Sequence, residues 1–234
     1  VSFIYSSVGL GGGSSYTALL IIFGINYKLI PMTSLTLNIF VTLIGLTNFW
    51  RKGYGRLRLT IPFLLTSIPM TYLGSKIDIP KDIFYSILLF SLMLIITKLY
   101  FLRSWKPSFV LIGINKWIFI LLVGSFLGFI AGAVGIGGGI YLVPIIFIFG
   151  LGTEKEAAAT GIVFIFFNSL VGLFTRVQSN KFDSDLILPL LISVIIGGYL
   201  GSFYGSVSFK PVTIQRIMGI ILIFGALFLL KELL

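Results

Sequence analysis

The sequence predicts an all-α membrane protein with about eight transmembrane helices, in two repeated four-helix units that each contain a glycine-broken, re-entrant element. Three observations predict this fold: the composition, the length of the apolar blocks and an internal repeat. Hydrophobic residues make up 57% of the 234 residues and charged residues only 10%, with a mean hydropathy of +1.11. A soluble domain carries roughly 25% charged residues, so this chain has too few charges to cover a water-facing surface.

Eight apolar blocks, separated by short charged loops, are long enough or nearly long enough to cross a bilayer. A spanning helix needs about 20 mostly apolar residues. This pattern predicts a multi-pass protein of the cell membrane, with the lipid bilayer as its surroundings. The blocks cover residues 1–24, 29–50, 59–75, 83–102, 117–153, 157–175, 186–209 and 212–230.

The block 117–153 is too long to be one transmembrane helix. At 1.5 Å per residue, about 37 residues would extend about 55 Å, against a hydrocarbon core of about 30 Å. A glycine cluster, Gly-Ile-Gly-Gly-Gly, occupies residues 135–139. We therefore expect a span over 117–133, a break at the glycines and a short helix over 140–150. Unpaired backbone groups cannot face lipid, so this short helix should be re-entrant and buried among other helices.

The chain also repeats itself. Residues 8–13 read Val-Gly-Leu-Gly-Gly-Gly, and residues 134–139 read Val-Gly-Ile-Gly-Gly-Gly. Tyr-Leu-Gly-Ser occurs at 72–75 and again at 199–202. The order of the matching segments is the same in both copies, which indicates a duplicated helical unit.

The repeat divides the chain into a first transmembrane unit over residues 1–106 and a second over 107–234. Each unit has one broken leading element and three further helices. Only residues 1–7 precede the first glycine motif, whereas a full span precedes the second. Because the chain also begins with Val1 rather than Met, we expect the first unit to be truncated at its N-terminus.

Loop charges predict the orientation in the membrane. The loop at residues 51–58 holds Arg or Lys at four positions, and basic loops stay on the cytoplasmic side. If each unit crosses the membrane four times, the two units are parallel. Lys155 then lies on the side opposite to this loop, and Lys231 lies on the same side.

The two glycine motifs are the strongest candidates for a binding site. Glycine lets the backbone approach a ligand closely, and a helix that starts after it exposes free N–H groups and the positive end of its dipole. We expect two such helix starts to face each other across a buried polar cavity, and we expect Gly12→Val or Gly138→Val to abolish activity in a protein that still folds. The alternative is that the glycines only allow close helix packing. The candidate residues are Gly9, Gly11, Gly12, Gly13, Ser14, Gly135, Gly137, Gly138 and Gly139.

Polar residues in the next helix of each unit are further candidates for binding a solute. They are Thr33, Ser34, Thr36 and Asn38 in the first unit, and Thr160, Asn168 and Ser169 in the second. Their hydroxyl and amide groups could line a solute path. The alternative is that the Ser and Thr hydroxyls bond back to carbonyls of their own helix.

The residue types exclude several classes of function. The chain has no Cys and no His, so disulfides, Cys or His metal sites and Ser-His or Cys-His catalytic pairs are excluded. All seven Asp and Glu residues lie in loops or at an end, so neither an intramembrane proton relay nor a metal-cation path is indicated. The net charge of +10 does not indicate nucleic acid, because the basic residues lie in short loops between apolar blocks. We expect no enzyme activity, no cofactor, and a small anionic solute as the partner.

The glycine motifs, the apolar helices after them and the helix starts at Thr33-Ser34 and Thr160 resemble the TauE/SafE family. These are membrane proteins associated with export of sulfite and organosulfonates. The resemblance covers nearly the whole chain, and by position it points to the glycines of both motifs, Thr33, Ser34, Pro144 and Thr160. Residues 14–18, Ser-Ser-Tyr-Thr-Ala, depart from the family pattern, which the second copy follows at Pro144. The resemblance implies an exporter or permease for a small anion, with sulfite or an organosulfonate as the expected substrate. A channel-like pore and a non-transporting accessory subunit are the alternatives.

Overall fold

The computed structural model describes residues 1–7, 10–100, 113–177, 184–205 and 211–233, and within these ranges it contains helices and loops but no strand. The all-α prediction is confirmed for this part of the chain. The helices are α1 (Ser2–Ser7), α2 (Gly13–Ile22), α3 (Ile30–Arg51), α4 (Leu57–Lys76), α5 (Lys81–Tyr100), α6 (Gly113–Val134), α7 (Gly139–Ile148), α8 (Glu154–Val177), α9 (Ser184–Gly205) and α10 (Pro211–Leu233).

Four of the described helices, α3, α6, α8 and α9, are long and apolar enough to cross a membrane, and α2 and α7 are shorter apolar helices. In lipid, every backbone N–H and C=O needs a partner inside the protein, which a long helix provides. Large apolar side chains also cover the outside of the bundle, as at Leu65, Leu122 and Phe174. These features are those of a multi-pass membrane protein, while the count of about eight spans stays a prediction.

The chain breaks at both glycine motifs. α6 ends at Val134 and α7 begins at Gly139, which confirms the predicted break and the short helix after it. Gly12 and Gly138 precede α2 and α7 with φ angles of +94° and +72°. Glycine enters this left-handed region without a steric penalty, so these residues can stop one helical path and start the next inside the bundle.

Two helix pairs share one mode of packing. α4 lies against α6, and α9 lies against α1. A Cβ on Gly74 would overlap the carbonyl oxygen of Phe129, and a Cβ on Gly201 would overlap that of Phe3. Gly74 and Gly201 are the glycines of the two Tyr-Leu-Gly-Ser segments, so matched positions make the same close backbone contact.

α3 and α8, the helices that follow the two broken elements, cross in antiparallel directions. A Cβ on Gly45 of α3 would touch Ile162 of α8, whereas a Cβ on Gly172 of α8 would touch Leu35 of α3. Residue numbers therefore rise along one helix as they fall along the other. The expectation of parallel units is wrong.

The reason lies in the path of the chain after α6. α4 and α6 run parallel, and Ala133 near the end of α6 lies at Gly74 near the end of α4. Gly152 lies at Leu59, near the start of α4. Residues 135–152 therefore run back along most of α4, about 22 Å at 1.5 Å per residue. α7 alone is too short for this distance, but the glycine segment before it supplies the rest. Residues 135–152 therefore return to the start of α4 and do not turn back on themselves, which differs from the re-entrant element that we expected.

Charged contacts show which loops share an end of the bundle. Arg56 pairs with Glu156 at 2.5 Å, so the start of α8 lies beside the basic α3–α4 loop. Glu232 pairs with the first residue of α5 at 3.4 Å, so the end of α10 lies at the opposite end. Lys155 therefore lies on the side of the basic loop, and Lys231 lies on the other side. With four spans per unit, we expected the opposite side for each of these residues.

Candidate solute-binding site

The two glycine breaks meet where α3 crosses α8. A Cβ added to Gly11 would lie 2.7 Å from Asn38 Oδ1 and 3.0 Å from Ile165 Cγ2. A Cβ added to Gly137 would lie 2.8 Å from Ile165 Cγ2 and 3.1 Å from Asn38 Nδ2. Asn38 of α3 and Ile165 of α8 therefore lie between the two breaks, each in contact with both.

The two breaks also touch directly. A Cβ added to Gly13 would lie 2.5 Å from the carbonyl oxygen of Ile136 and would overlap Asn38 Nδ2. A Cβ added to Gly139 would overlap the Ile165 side chain. Sequence analysis placed a polar cavity between the two helix starts, and the structure brings the starts themselves into contact.

α2 and α7 begin at this contact with unsatisfied backbone groups. Neither N-cap glycine offers a side-chain cap. Among the described residues, no hydrogen bond is made by the N–H groups of Gly13 and Ser14 in α2, or of Gly139 and Ile140 in α7. The positive ends of two helix dipoles therefore meet at one place, with N–H groups that have no partner among the described residues.

Asn38 is the buried polar side chain at the meeting point. It is fully buried, and neither of its amide atoms has a hydrogen-bond partner among the described residues. Ser169 Oγ is also buried there without a partner among the described residues, and it lies 3.3 Å from the Cβ position of Gly137. Ser14 Oγ, in the first turn of α2, is likewise buried and lacks a described partner. An unpaired buried polar atom costs about 1–3 kcal/mol, and native structures keep few of them. Asn38, Ser169 and the two helix starts form a neutral hydrogen-bonding site, and Ser14 follows in the first turn of α2.

Comparison with known proteins identifies the family. The model of a family described as "Sulfite exporter TauE/SafE" matches residues 1–229. The chain belongs to the TauE/SafE family. Its relatives include "Probable membrane transporter protein y4hK" of Sinorhizobium fredii, 30% identical over 98% of this chain and 94% of the relative. "Probable membrane transporter protein YjnA" of Bacillus subtilis is 27% identical over 94% of this chain and 91% of the relative. No solved structure gives a significant match.

In this TauE/SafE protein, only one of the predicted hydroxyl residues on α3 and α8 bonds to a glycine break. Ser34 Oγ donates to the Gly13 carbonyl at 3.2 Å and ties the first turn of α2 to α3. Thr33 Oγ1 donates to the carbonyl of Leu29 in its own chain segment, four residues back, as the back-bonding alternative describes. Thr160 Oγ1 lies 3.2 Å from a hydroxyl of α4.

Asn168 differs from Asn38 in having its amide fully engaged. Its Oδ1 lies 2.8 Å from Thr71 Oγ1, and its Nδ2 donates to the Phe164 carbonyl at 2.9 Å. Asn168 therefore links α8 to α4. A role for Asn168, Thr33 or Thr160 in binding a solute stays a prediction.

The remaining predicted glycines make tight packing contacts. A Cβ on Gly12 would lie 2.9 Å from the Tyr16 ring, and one on Gly138 would lie 3.0 Å from the Phe164 ring. One on Gly135 would lie 2.6 Å from Pro31, and Gly9 lies outside the described residues. Because Gly12 and Gly138 also have positive φ angles, valine there would strain the fold. Valine at these positions therefore does not separate a binding role from a packing role.

Sequence analysis named Ser169 among the polar candidates and missed Ile165 as a member of the site. The second half of the repeat is offset by 127 residues in this region, which pairs Asn38 with Ile165 and Thr42 with Ser169. Thr42 Cγ2 lies 3.3 Å from the Cβ position of Gly11, and Ser169 Oγ lies 3.3 Å from the Cβ position of Gly137. Following the repeat from Asn38 would have found Ile165.

Proposed function

We propose that this protein transports a small oxyanion, sulfite or an organosulfonate, through the point where the two glycine breaks meet. The observation that carries the proposal is the buried Asn38 side chain, whose amide atoms have no partner among the described residues. The family match to sulfite exporters and the relatives named as probable membrane transporters support it.

The chemistry of the site favours an anion over a cation. Its donors are the Asn38 amide, the Ser14 and Ser169 hydroxyls and the N–H groups that begin α2 and α7. Within the described chain, no group of three His, Cys, Asp or Glu residues could hold a metal ion. An ion that leaves water must replace its hydration with hydrogen bonds from the protein. Converging donors offer that replacement to an anion.

The antiparallel crossing of α3 and α8 supports transport by alternating access. We propose that residues 1–106 and 107–234 form units related by the antiparallel α3–α8 crossing. Rocking of one unit against the other about this crossing would open the shared site to each side of the membrane in turn. The full spans would be α3, α4, α5, α6, α8, α9 and α10, with the two glycine-broken elements as further passes.

Proteoliposome uptake tests the proposal against its alternatives. The purified protein is reconstituted into liposomes, and entry of labelled sulfite or methanesulfonate is followed with and without unlabelled solute inside. A transporter gives saturable uptake that is accelerated by the internal solute. Uptake that rises linearly with concentration indicates a channel. Uptake equal to that of protein-free liposomes would refute transport of these solutes and favour an accessory subunit.

A further inference from the structure

A second polar cluster lies beside the first turns of α2 and α7. Ser15 Oγ lies 2.5 Å from the Tyr5 hydroxyl, and the Tyr5 side chain is fully buried. Ser14 also lies beside the Tyr5 hydroxyl. Tyr141, in the first turn of α7, packs against the apolar core that contains Tyr5, and Ser91 is a further polar neighbour. We call Tyr5, Ser14, Ser15 and Tyr141 the hydroxyl cluster.

Two members of the hydroxyl cluster have side-chain oxygens that no described residue pairs with in good geometry. The hydroxyl oxygens of Ser14 and Tyr141 are buried and make no hydrogen bond of standard geometry with another described residue, although Ser14 lies near the Tyr5 hydroxyl and Ser91 lies near Tyr141. Ser15 and Tyr5 share one hydrogen bond, and each hydroxyl of the cluster can both donate and accept. Burying unpaired hydroxyl groups lowers the stability of a protein, so two such groups at one place need an explanation.

Packing alone does not require these hydroxyls. The glycine motifs are offset by 126 residues, which pairs Tyr5 with Ala131 and Ser14 with Ile140. Ala131 and Ile140 are buried apolar residues, so the second half fills these two positions without polar atoms, whereas Ser15 pairs with Tyr141. Three residues of the hydroxyl cluster therefore come from the first half and one from the second.

We infer that the hydroxyl cluster is a further oxyanion-binding subsite next to Asn38, and that Tyr141 contributes a hydrogen bond to the bound solute. This inference rests on the proposed function. The two hydroxyls that lack a partner among the described residues suit a sulfite or sulfonate group, which has three oxygen atoms and needs several donors when it leaves water. Because hydroxyl donors carry no charge, they bind an anion less tightly than Arg or Lys would, and a transported solute must also leave.

Tyr141→Phe tests this subsite by removing a single oxygen atom. The KM for sulfite uptake into proteoliposomes should rise about tenfold, because a hydrogen bond to a charged group is lost. The thermal unfolding midpoint should stay the same or rise, because an unpaired buried hydroxyl is gone. Sulfite should raise the unfolding midpoint of the unmodified protein, and this shift should shrink in the variant at equal sulfite concentration.

Matched variants keep the test decisive. Tyr85→Phe is the control, because Tyr85 is a buried tyrosine of α5 in the same apolar core and lies outside the hydroxyl cluster. It should leave KM and the sulfite-induced shift unchanged. Tyr5→Phe removes a second hydroxyl of the cluster and should raise KM and shrink the sulfite-induced shift as Tyr141→Phe does. Its own unfolding midpoint should fall, because the hydrogen bond with Ser15 is lost. It carries the test if Tyr141→Phe does not fold.

The outcomes separate the subsite from the proposed transport. An unchanged KM together with an unchanged sulfite-induced shift in Tyr141→Phe overturns the subsite and leaves transport standing. If the unmodified protein takes up no sulfite, transport is refuted. If its sulfite-induced shift is nevertheless lost in Tyr141→Phe, the subsite is supported. If sulfite and methanesulfonate neither stabilise the unmodified protein nor enter the liposomes, both proposals are wrong.

Discussion

Replacing Asn38 by Leu should make the protein more stable and less active at the same time. Both amide atoms of Asn38 are buried without a described partner, and an unpaired buried polar group costs about 1–3 kcal/mol. A leucine of similar size removes that cost, so the free energy of unfolding should rise by roughly 2 kcal/mol. The Asn38 backbone carbonyl keeps its 2.5 Å hydrogen bond from Thr42 Oγ1 in the variant.

The same substitution should remove one or two hydrogen bonds to the solute. A hydrogen bond to a charged group contributes about 1.5–3 kcal/mol, so kcat/KM for sulfite uptake should fall about tenfold to 150-fold for each bond lost. Initial uptake rates in proteoliposomes give this ratio, and thermal unfolding in detergent gives the change in stability.

Asn48→Leu provides the matched control on the same helix. The Asn48 amide is paired, with Nδ2 donating to Ser202 Oγ at 2.7 Å, so this variant should lose about 1 kcal/mol of stability and keep normal uptake. The reasoning is refuted if Asn38→Leu transports sulfite at the normal rate. It is also refuted if Asn38→Leu is destabilised as Asn48→Leu is, because the Asn38 amide would then be paired inside the protein.

Three further predictions follow from the packing. Gly13→Ala should lower the thermal unfolding midpoint and the uptake rate together, because the added methyl group overlaps the second glycine break; an unchanged midpoint would contradict the contact between the breaks. Thr71→Val should lower the free energy of unfolding by about 1–3 kcal/mol, because its hydroxyl lies 2.8 Å from both a carbonyl of α6 and an amide of α8, and chemical denaturation can measure this loss. Lys52→Cys and Lys155→Cys should each react with an impermeant thiol reagent added on one side of the membrane, and Lys28→Cys should react with reagent added on the other side. Labelling of Lys155→Cys from the side that labels Lys28→Cys would contradict the antiparallel crossing.

The helical class, the breaks and the family could be predicted from the sequence because each depends on residues close together in the chain. A block of apolar residues predicts its own helix in lipid, whatever packs against it. A run of glycines stops a helix through its own backbone freedom, and α7 begins at Gly139, within one residue of its predicted start. The meeting of the two glycine motifs was a hypothesis from their repetition, and the structure brings them into contact.

The direction of the second unit depended on the path of residues 135–152, which periodicity does not encode. Hydropathy separates apolar from polar segments, and α7 is too short to count as a span by this measure. Only the contacts of Ala133 and Gly152 with opposite ends of α4 show that the chain returns along the bundle. One additional pass in a unit reverses every loop that follows, which is why the sides of Lys155 and Lys231 were both wrong.

The sequence by itself determined that polar residues would be buried among the helices, and the tertiary structure decided which of them are available to a solute. Asn38 and Asn168 are both asparagines in the helix after a glycine break, and both are fully buried. The Asn168 amide oxygen accepts a hydrogen bond from Thr71, which lies 97 residues away in sequence on α4. Asn38 instead faces two glycine segments, which offer no side-chain partner. Whether a buried amide is satisfied depends on what distant segments place beside it, and that is decided when the helices pack.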